Sequence, residues 1–164
     1  MPEPGRGEIR QVLADLRKTG KKGVCLLGDI KKAHRRIKIR RRDWGFQACR
    51  LRPGRVWVNK VGTYGMNPAA YHWARFASAT LVRLGHYLLG EELQVELLLF
   101  ADDLFSLATT IPELVGIGFL IFVLTALGVP FGWKKFRGGS EEGWIGYHID
   151  FDKKSAGISG ERAR

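Results

Sequence analysis

Two adjacent carboxylates, Asp102 and Asp103, stand between short apolar runs, Leu97 to Phe100 on one side and Leu104 to Leu107 on the other. No basic residue lies close by in sequence to neutralise them. The flanking runs read as two buried strands, which makes Ala101-Asp102-Asp103 the tip of a tight hairpin. Burying an unpaired carboxylate costs several kcal/mol, so such a pair is solvated, protonated or set on a cation. A divalent metal that takes hard oxygen ligands is the natural partner. A plain turn is the alternative, because Asp is a common turn residue. A third carboxylate, Asp29, closes the apolar run Gly23 to Gly28. If both strands lie centrally in one sheet, the three acids converge at one edge; otherwise Asp29 pairs with Lys31 or Lys32. Two Mg²⁺ ions about 3.5–4 Å apart on such carboxylates can activate an attacking oxygen and stabilise a leaving one in phosphoryl transfer.

The elements that would position these acids follow from periodicity. Ile9, Val12, Leu13 and Leu16 fall at helical spacing, predicting a surface helix over 8–18 that stops at Thr19-Gly20. Gly23 to Gly28 reads as a strand. Phe46 to Leu51 and Val56 to Val61 flank the turn Arg52-Pro53-Gly54-Arg55 and read as a hairpin. Asn67-Pro68 has the form of an N-cap followed by Pro at the first helical position, and that helix runs to about Leu89. The acidic hairpin comes next, then a helix opened by Pro112 and closed near Gly128. Trp144 to Phe151 and Ala156 to Ser159 make a last hairpin around Asp152-Lys153-Lys154-Ser155. This order predicts an α+β domain, a mostly antiparallel sheet with helices packed on one face.

Composition limits the function classes. A chain of 164 residues with 45% hydrophobic and 11% aromatic residues can bury a core and is not of the disordered type. Its 27 Lys and Arg residues against 16 acids give a net charge of +11, which favours polyanion partners, nucleic acid above all. Cys25 and Cys49 lie in strand-like runs without zinc or disulfide spacing, so a reducing, intracellular compartment is expected. The first eight residues carry no apolar signal region, so secretion is not expected. Leu114 to Phe131 holds no charge and is long enough to raise a membrane question. Gly116, Gly118, Gly128 and Pro130 interrupt it, which favours a buried helix and no membrane partner.

Five motifs in order carry a family resemblance. Gly28-Asp29-Ile30-Lys31-Lys32-Ala33-His34-Arg35-Arg36-Ile37 resembles the first palm motif of reverse transcriptases, and Phe100-Ala101-Asp102-Asp103 resembles their x-x-D-D motif. Val61 to Tyr71 resembles the Gly-rich turn and helix beneath the templating pair. Leu127-Gly128-Val129-Pro130-Phe131-Gly132-Trp133-Lys134-Lys135 resembles the fourth motif, and Trp144-Ile145-Gly146-Tyr147 the primer-grip hairpin. The resemblance is nearer to retrotransposon-type elements than to retroviral enzymes. It implies a palm with a ferredoxin-like core over 23–164, preceded by an N-terminal helix and basic linker over 1–22. It also implies a palm taken from a larger polymerase, because the fingers, thumb, connection and RNase H regions of the family are not seen.

Roles follow from the resemblance. Asp29, Asp102 and Asp103, with the Ile30 carbonyl, would hold two Mg²⁺ ions, with Mn²⁺ as a substitute. Lys135 matches the lysine that protonates the pyrophosphate leaving group. Lys32, Ala33, His34, Gly65, Met66, Asn67 and Pro68 would meet the incoming dNTP, with His34 at the place of the aromatic gate against the ribose 2′-OH. Arg35, Arg36, Lys38, Arg40, Arg41 and Arg42 would follow phosphates of an RNA/DNA template-primer, and Trp144 and Gly146 would hold the primer end. Gly28, Gly62-Thr63 and Gly132 depart from the family's usual residues. The expected function is RNA-directed DNA synthesis from dNTPs. The alternatives are a catalytically inert retroelement-derived fragment that binds nucleic acid, and a two-metal nuclease on the same acids. The basic run could also be a merely solvated face, and Tyr71, His72, Trp73, Phe76 and Tyr87 read mostly as core packing rather than base-stacking groups. His148 reads as structural, and Lys135 could simply answer a helix C-terminal dipole. Oligomeric state is not legible.

Overall fold

A computed structural model describes residues 5–158 of the chain except 64, 66, 91, 92 and 94. The first helix, α1 (Arg6–Thr19), buries Ile9, Val12, Leu13 and Leu16 along one stripe and ends at Gly20, whose φ of 72° is left-handed. Strand β1 (Val24–Asp29) follows and then a turn containing Lys32. Beyond two short 3-10 turns, His34–Arg36 and Arg41–Gln47, come β2 (Ala48–Arg52) and β3 (Arg55–Val58), then helices α2 (Asn67–Ala77) and α3 (Leu84–Leu89). The acidic hairpin is β4 (Glu96–Phe100) and β5 (Asp103–Ala108). Helix α4 (Ile111–Ala126) leads to β6 (Arg137–Gly139), β7 (Glu141–Trp144), β8 (Tyr147–Asp150) and β9 (Ser155–Ile158).

Four strands form the central antiparallel sheet in the order β4-β5-β1-β6. With α2 and α3 between β1 and β4, and α4 between β5 and β6, this is the expected α+β, ferredoxin-like arrangement. Period-two alternation sends neighbouring side chains to opposite faces. Leu26, Leu97, Leu99 and Leu104 enter the core beneath α2, α3 and α4. Cys25, Leu27, Leu98, Phe105 and Leu107 enter a second core with α1 and the β7-β8-β9 sheet. The helices therefore divide: α1 packs on the face opposite the other three, because its apolar stripe meets the odd-numbered side chains of β1 and β5.

The long helix expected from Asn67 to Leu89 is present with a π-helical stretch inside it, Ser78–Arg83. Its buried positions, Ala69, Trp73, Ala77, Leu81, Gly85 and Leu89, recur every four residues. At 3.6 residues per turn a four-residue repeat drifts by about 40° each step. The looser π winding turns the stripe back toward the sheet. Only Trp73 of the five aromatic residues expected mainly in the core obeys this repeat; Tyr71, His72, Phe76 and Tyr87 are exposed. At Gly85 a Cβ would lie 2.7 Å from Leu97 Cδ1, so glycine sets how closely this helix meets β4.

Helix α4 opens with a reciprocal cap: Thr110 Oγ1 accepts from the Glu113 N–H, and Glu113 accepts from the Thr110 N–H at 3.1 Å. It ends at Ala126, and among the described residues no helix is long and apolar enough to cross a membrane. Two further expectations are corrected. Trp144 to Phe151 is not one strand: Ile145 (φ 44°) and Gly146 (φ 83°) turn the chain between β7 and β8, giving three strands instead of two. Phe46 and Gln47 belong to the 3-10 turn that precedes β2 rather than to the strand. The last residue of the expected hairpin, Ser159, lies outside the described residues.

Candidate functional site

The register of β1 on β5 decides the site. Asp29 is the Cα partner of Asp103, at the end of a ladder that begins with Val24 opposite Ala108. Paired residues in a ladder point to the same face, so the two carboxylates stand side by side. Asp102 occupies the turn between β4 and β5 next to Ala101, whose φ of 50° is left-handed and strained for a residue with a Cβ. Two contacts hold this tip. The Asp102 carbonyl accepts from the Ile30 N–H at 2.8 Å, and the Ala101 carbonyl accepts from Trp73 Nε1 at 2.7 Å. Trp73 is thus both a core side chain and the brace of the acidic turn.

The chain after α4 closes the other side. Lys31 N–H donates to the Pro130 carbonyl at 2.8 Å and Gly132 N–H to the Asp29 carbonyl at 2.7 Å, flanking an Ile30–Phe131 bridge. A 3-10 turn, Trp133–Lys135, then lays Lys135 Nζ 2.6 Å from Asp29 Oδ1. The partners differ in exposure: the Asp29 side chain is 12% exposed and that of Lys135 is 70% exposed. Gly132 sits so near Asp29 that a Cβ there would lie 2.6 Å from Oδ2. At Gly28 a Cβ would lie 2.8 Å from Phe136 Cζ, so the aromatic ring fills the space that a side chain at position 28 would need.

The result is a cleft of about 510 Å³ that contains Asp29, Asp102 and Asp103 opposite Lys134, Lys135 and Arg137, with Phe136 and Trp144 among its walls. Burial pushes the Asp103 carboxyl above its usual range, and the neighbouring Asp102 and Asp29 push it further. The hydrogen bond from Lys135 to Asp29 and the attraction behind it hold the ammonium above the usual lysine value. Among the described residues, no three His, Cys, Asp or Glu side chains form a ready-made metal cage.

The other expected site residues are placed unevenly. Ile30 and Ala33 are wholly buried, so neither the Ile30 carbonyl nor Ala33 reaches the cleft surface. Lys32 is exposed with a φ of 57°, and His34 is half-buried. Gly62 brings the His34 turn against the start of α2: a Cβ there would meet the His34 carbonyl oxygen at 2.5 Å and Ala69 Cβ at 2.6 Å. Gly65, Asn67 and Pro68 are exposed beside that turn, outside the cleft lining, and Met66 lies outside the described residues. Arg35, Arg36, Lys38, Arg40, Arg41 and Arg42 are all exposed. Trp144, expected at the primer end, is among the walls of the cleft yet almost wholly enclosed. It is 2% exposed, packed on Phe105 with ring centroids 4.9 Å apart, because β7 lies across the second core. Its indole N–H has no hydrogen-bond partner among the described residues. Gly146, expected beside it at the primer end, lies in the turn between β7 and β8 and is partly exposed. Lys134, Phe136 and Arg137 line the cleft without having been singled out, although they adjoin Lys135 in sequence.

Comparison with known proteins points the same way as the topology. The chain superimposes on apo telomerase from Candida tropicalis, truncated from its C-terminal domain, with a TM-score of 0.69 at 12% identity, covering 94% of this chain and 40% of that one. It superimposes on foamy viral protease-reverse transcriptase in complex with RNA/DNA hybrid with a TM-score of 0.65 at 14% identity, covering 84% and 17% respectively. The fold is reverse-transcriptase-like. No family model and no curated protein sequence matches the chain. At these identities the likeness speaks for the fold alone, and the chain spans less than half the length of either structure.

Proposed function

We propose that this chain is the palm of a retrotransposon-type RNA-directed DNA polymerase, extending a primer by nucleotidyl transfer from dNTPs on a nucleic-acid template. The observation that carries the reading is the meeting of Asp29, Asp102 and Asp103 in one cleft of a reverse-transcriptase-like fold. Telomeric RNA and an RNA/DNA hybrid occur with proteins of this fold, which supports nucleic acid as the partner here. The net charge of +11 supports it independently.

The three carboxylates suit Mg²⁺, which takes one or two carboxylates and fills its remaining positions with water and substrate oxygens rather than with a protein cage. Bound there, Mg²⁺ would supply charge stabilisation to the attacking and leaving oxygens. The chain's own residues do the positioning. Trp73 and the Ile30 N–H fix the acidic turn, and the β1–β5 register fixes Asp29 against Asp103. Lys135, kept protonated by Asp29, holds an N–H proton at the cleft mouth that a departing pyrophosphate can take. The short Lys135–Asp29 contact also supports a second reading, a non-catalytic nucleic-acid-binding fragment, since it engages one of the three acids.

Primer extension separates the two. With a DNA primer on an RNA template, dNTPs and Mg²⁺, the chain is expected to incorporate nucleotides, and Asp102→Asn is expected to lower the rate by about 100-fold or more. Nucleic-acid binding without incorporation would establish the binding fragment.

A further inference from the structure

The acidic cleft leaves unused the β2–β3 hairpin. Every residue of both strands is exposed, on both faces. Phe46 at its base is 89% exposed, Leu51 71% and Trp57 53%. Two-stranded hairpins are marginal in water, and large apolar side chains exposed together on one are not explained by folding. Yet this hairpin is tied down at its stem. Ile39 N–H donates to the Lys60 carbonyl at 3.1 Å, Asn59 N–H to the Gln47 carbonyl at 3.4 Å, and Trp44 Nε1 to the Ile39 carbonyl at 3.0 Å. Lys60 Nζ lies 5.0 Å from the Trp44 ring centroid and covers it. The stem is built; the blade is bare.

Charge selects the occupant. Arg50, Arg52 and Arg55 alternate with the apolar side chains along the blade. Ten of the 27 Lys and Arg residues fall between Arg35 and Lys60, against Asp43 as the one acid in that stretch. A protein partner of ordinary composition would leave these guanidinium groups without counter-charges. A strand of unpaired nucleic acid offers phosphates to the arginines and base faces to Trp57 and Phe46. A duplex would hide those base faces.

We infer that the β2–β3 hairpin is a binding surface for single-stranded nucleic acid, with Arg50, Arg52 and Arg55 on phosphates and Trp57 and Phe46 against bases. The inference rests on the nucleic-acid part of the proposed function and not on catalysis.

The test is fluorescence anisotropy of the whole chain with a labelled single-stranded RNA oligonucleotide and with a duplex of the same sequence, across a salt series. Both Trp57→Ala and the triple variant Arg50→Ala/Arg52→Ala/Arg55→Ala change exposed positions, and circular dichroism checks that each stays folded. The triple variant is expected to lose at least about tenfold in single-strand affinity and to flatten the log–log salt slope by about 2, as three lost phosphate contacts require. Trp57→Ala is expected to lose about fivefold or more for the single strand at unchanged salt slope. Single-strand affinity unchanged in both variants overturns the inference. Equal losses on single strand and duplex overturn it too, leaving a purely electrostatic patch. Loss of binding only in Arg40→Ala/Arg41→Ala/Arg42→Ala would move the contact to the neighbouring basic run and leave the proposed function standing. Absence of primer extension, conversely, leaves the hairpin result intact.

Discussion

Asp103 is the carboxylate on which the site's electrostatics bear hardest. Burial and two neighbouring acids raise its folded value above the unfolded one of about 3.9. Protonated Asp103 therefore favours the fold below the unfolded value, and that contribution is lost as pH rises through the folded value. At neutral pH and without divalent metal, Asp103→Asn is expected to raise the melting temperature by about 2–4 °C, the shift about 1 kcal/mol produces in a chain of this size. The gain is expected to vanish on acidification below the carboxylate range. If Mg²⁺ binds the native cleft, adding it narrows the gap by stabilising the wild type. Differential scanning calorimetry across pH, with and without Mg²⁺, reads both. The three aspartates were legible because apolar runs deliver each of them to an element end. The burial of Ile30, Ala33 and Trp144 was not, since a motif gives the order of residues along the chain and not which of them the next element covers. Gly132, which departs from the motif the sequence resembles, has its reason only in three dimensions: Asp29 Oδ2 lies where its side chain would begin.

Among the elements, α4 shows best how local sequence reaches the site. Glu113 Oε2 accepts from the Thr109 N–H at 2.6 Å, the Thr109 hydroxyl at 3.0 Å and the Thr110 N–H at 3.1 Å, which joins the end of β5 to the start of the helix. Burial opposes ionisation of Glu113, but these bonds together outweigh it and hold the carboxyl below its ordinary value. Their stability is present above the unfolded value of about 4.3 and lost as pH falls through the lower folded one. Glu113→Ala is expected to cost about 1–3 kcal/mol at pH 7, and less as the solution is acidified through that window. Denaturant titration at pH 7 and pH 3 measures the difference. The start of this helix was legible because Pro112 marks it, whereas the Thr110–Glu113 cap is a finding of the structure. The β7–β8 turn was not: Ile145 is an unlikely residue at a φ of 44°, and the apolar pattern runs through it as though one strand continued. Strand β6 was equally hidden, its Arg-Gly-Gly composition carrying no strand signal, though it pairs with the middle of β1.

Over the whole molecule, two cores share one sheet while the β2–β3 hairpin stands outside both. Hydrogen exchange is expected to rank them: amides in β1 and β5 slowest, those in β2 and β3 near the rate of local opening. Equal protection in the hairpin and the central strands would mean that another surface covers it. A second uncovered surface is the outer stripe of α4, where Ile111, Val115, Phe119 and Phe122 are exposed. The sequence announced both the net charge and the basic run from Arg35 to Arg42, but not that the following hairpin is left outside both cores, because that depends on which elements the fold packs together. The register of β1 on β5 carries a last consequence. Residues along these strands can be exchanged for others that suit the same face. One residue added or removed within either strand would turn Asp29 or Asp103 to the opposite face of the sheet. The site is thus sensitive to strand length in a way it is not to side-chain type: deletions and insertions between Val24 and Asp29, or between Asp103 and Ala108, abolish it even where the strand still forms.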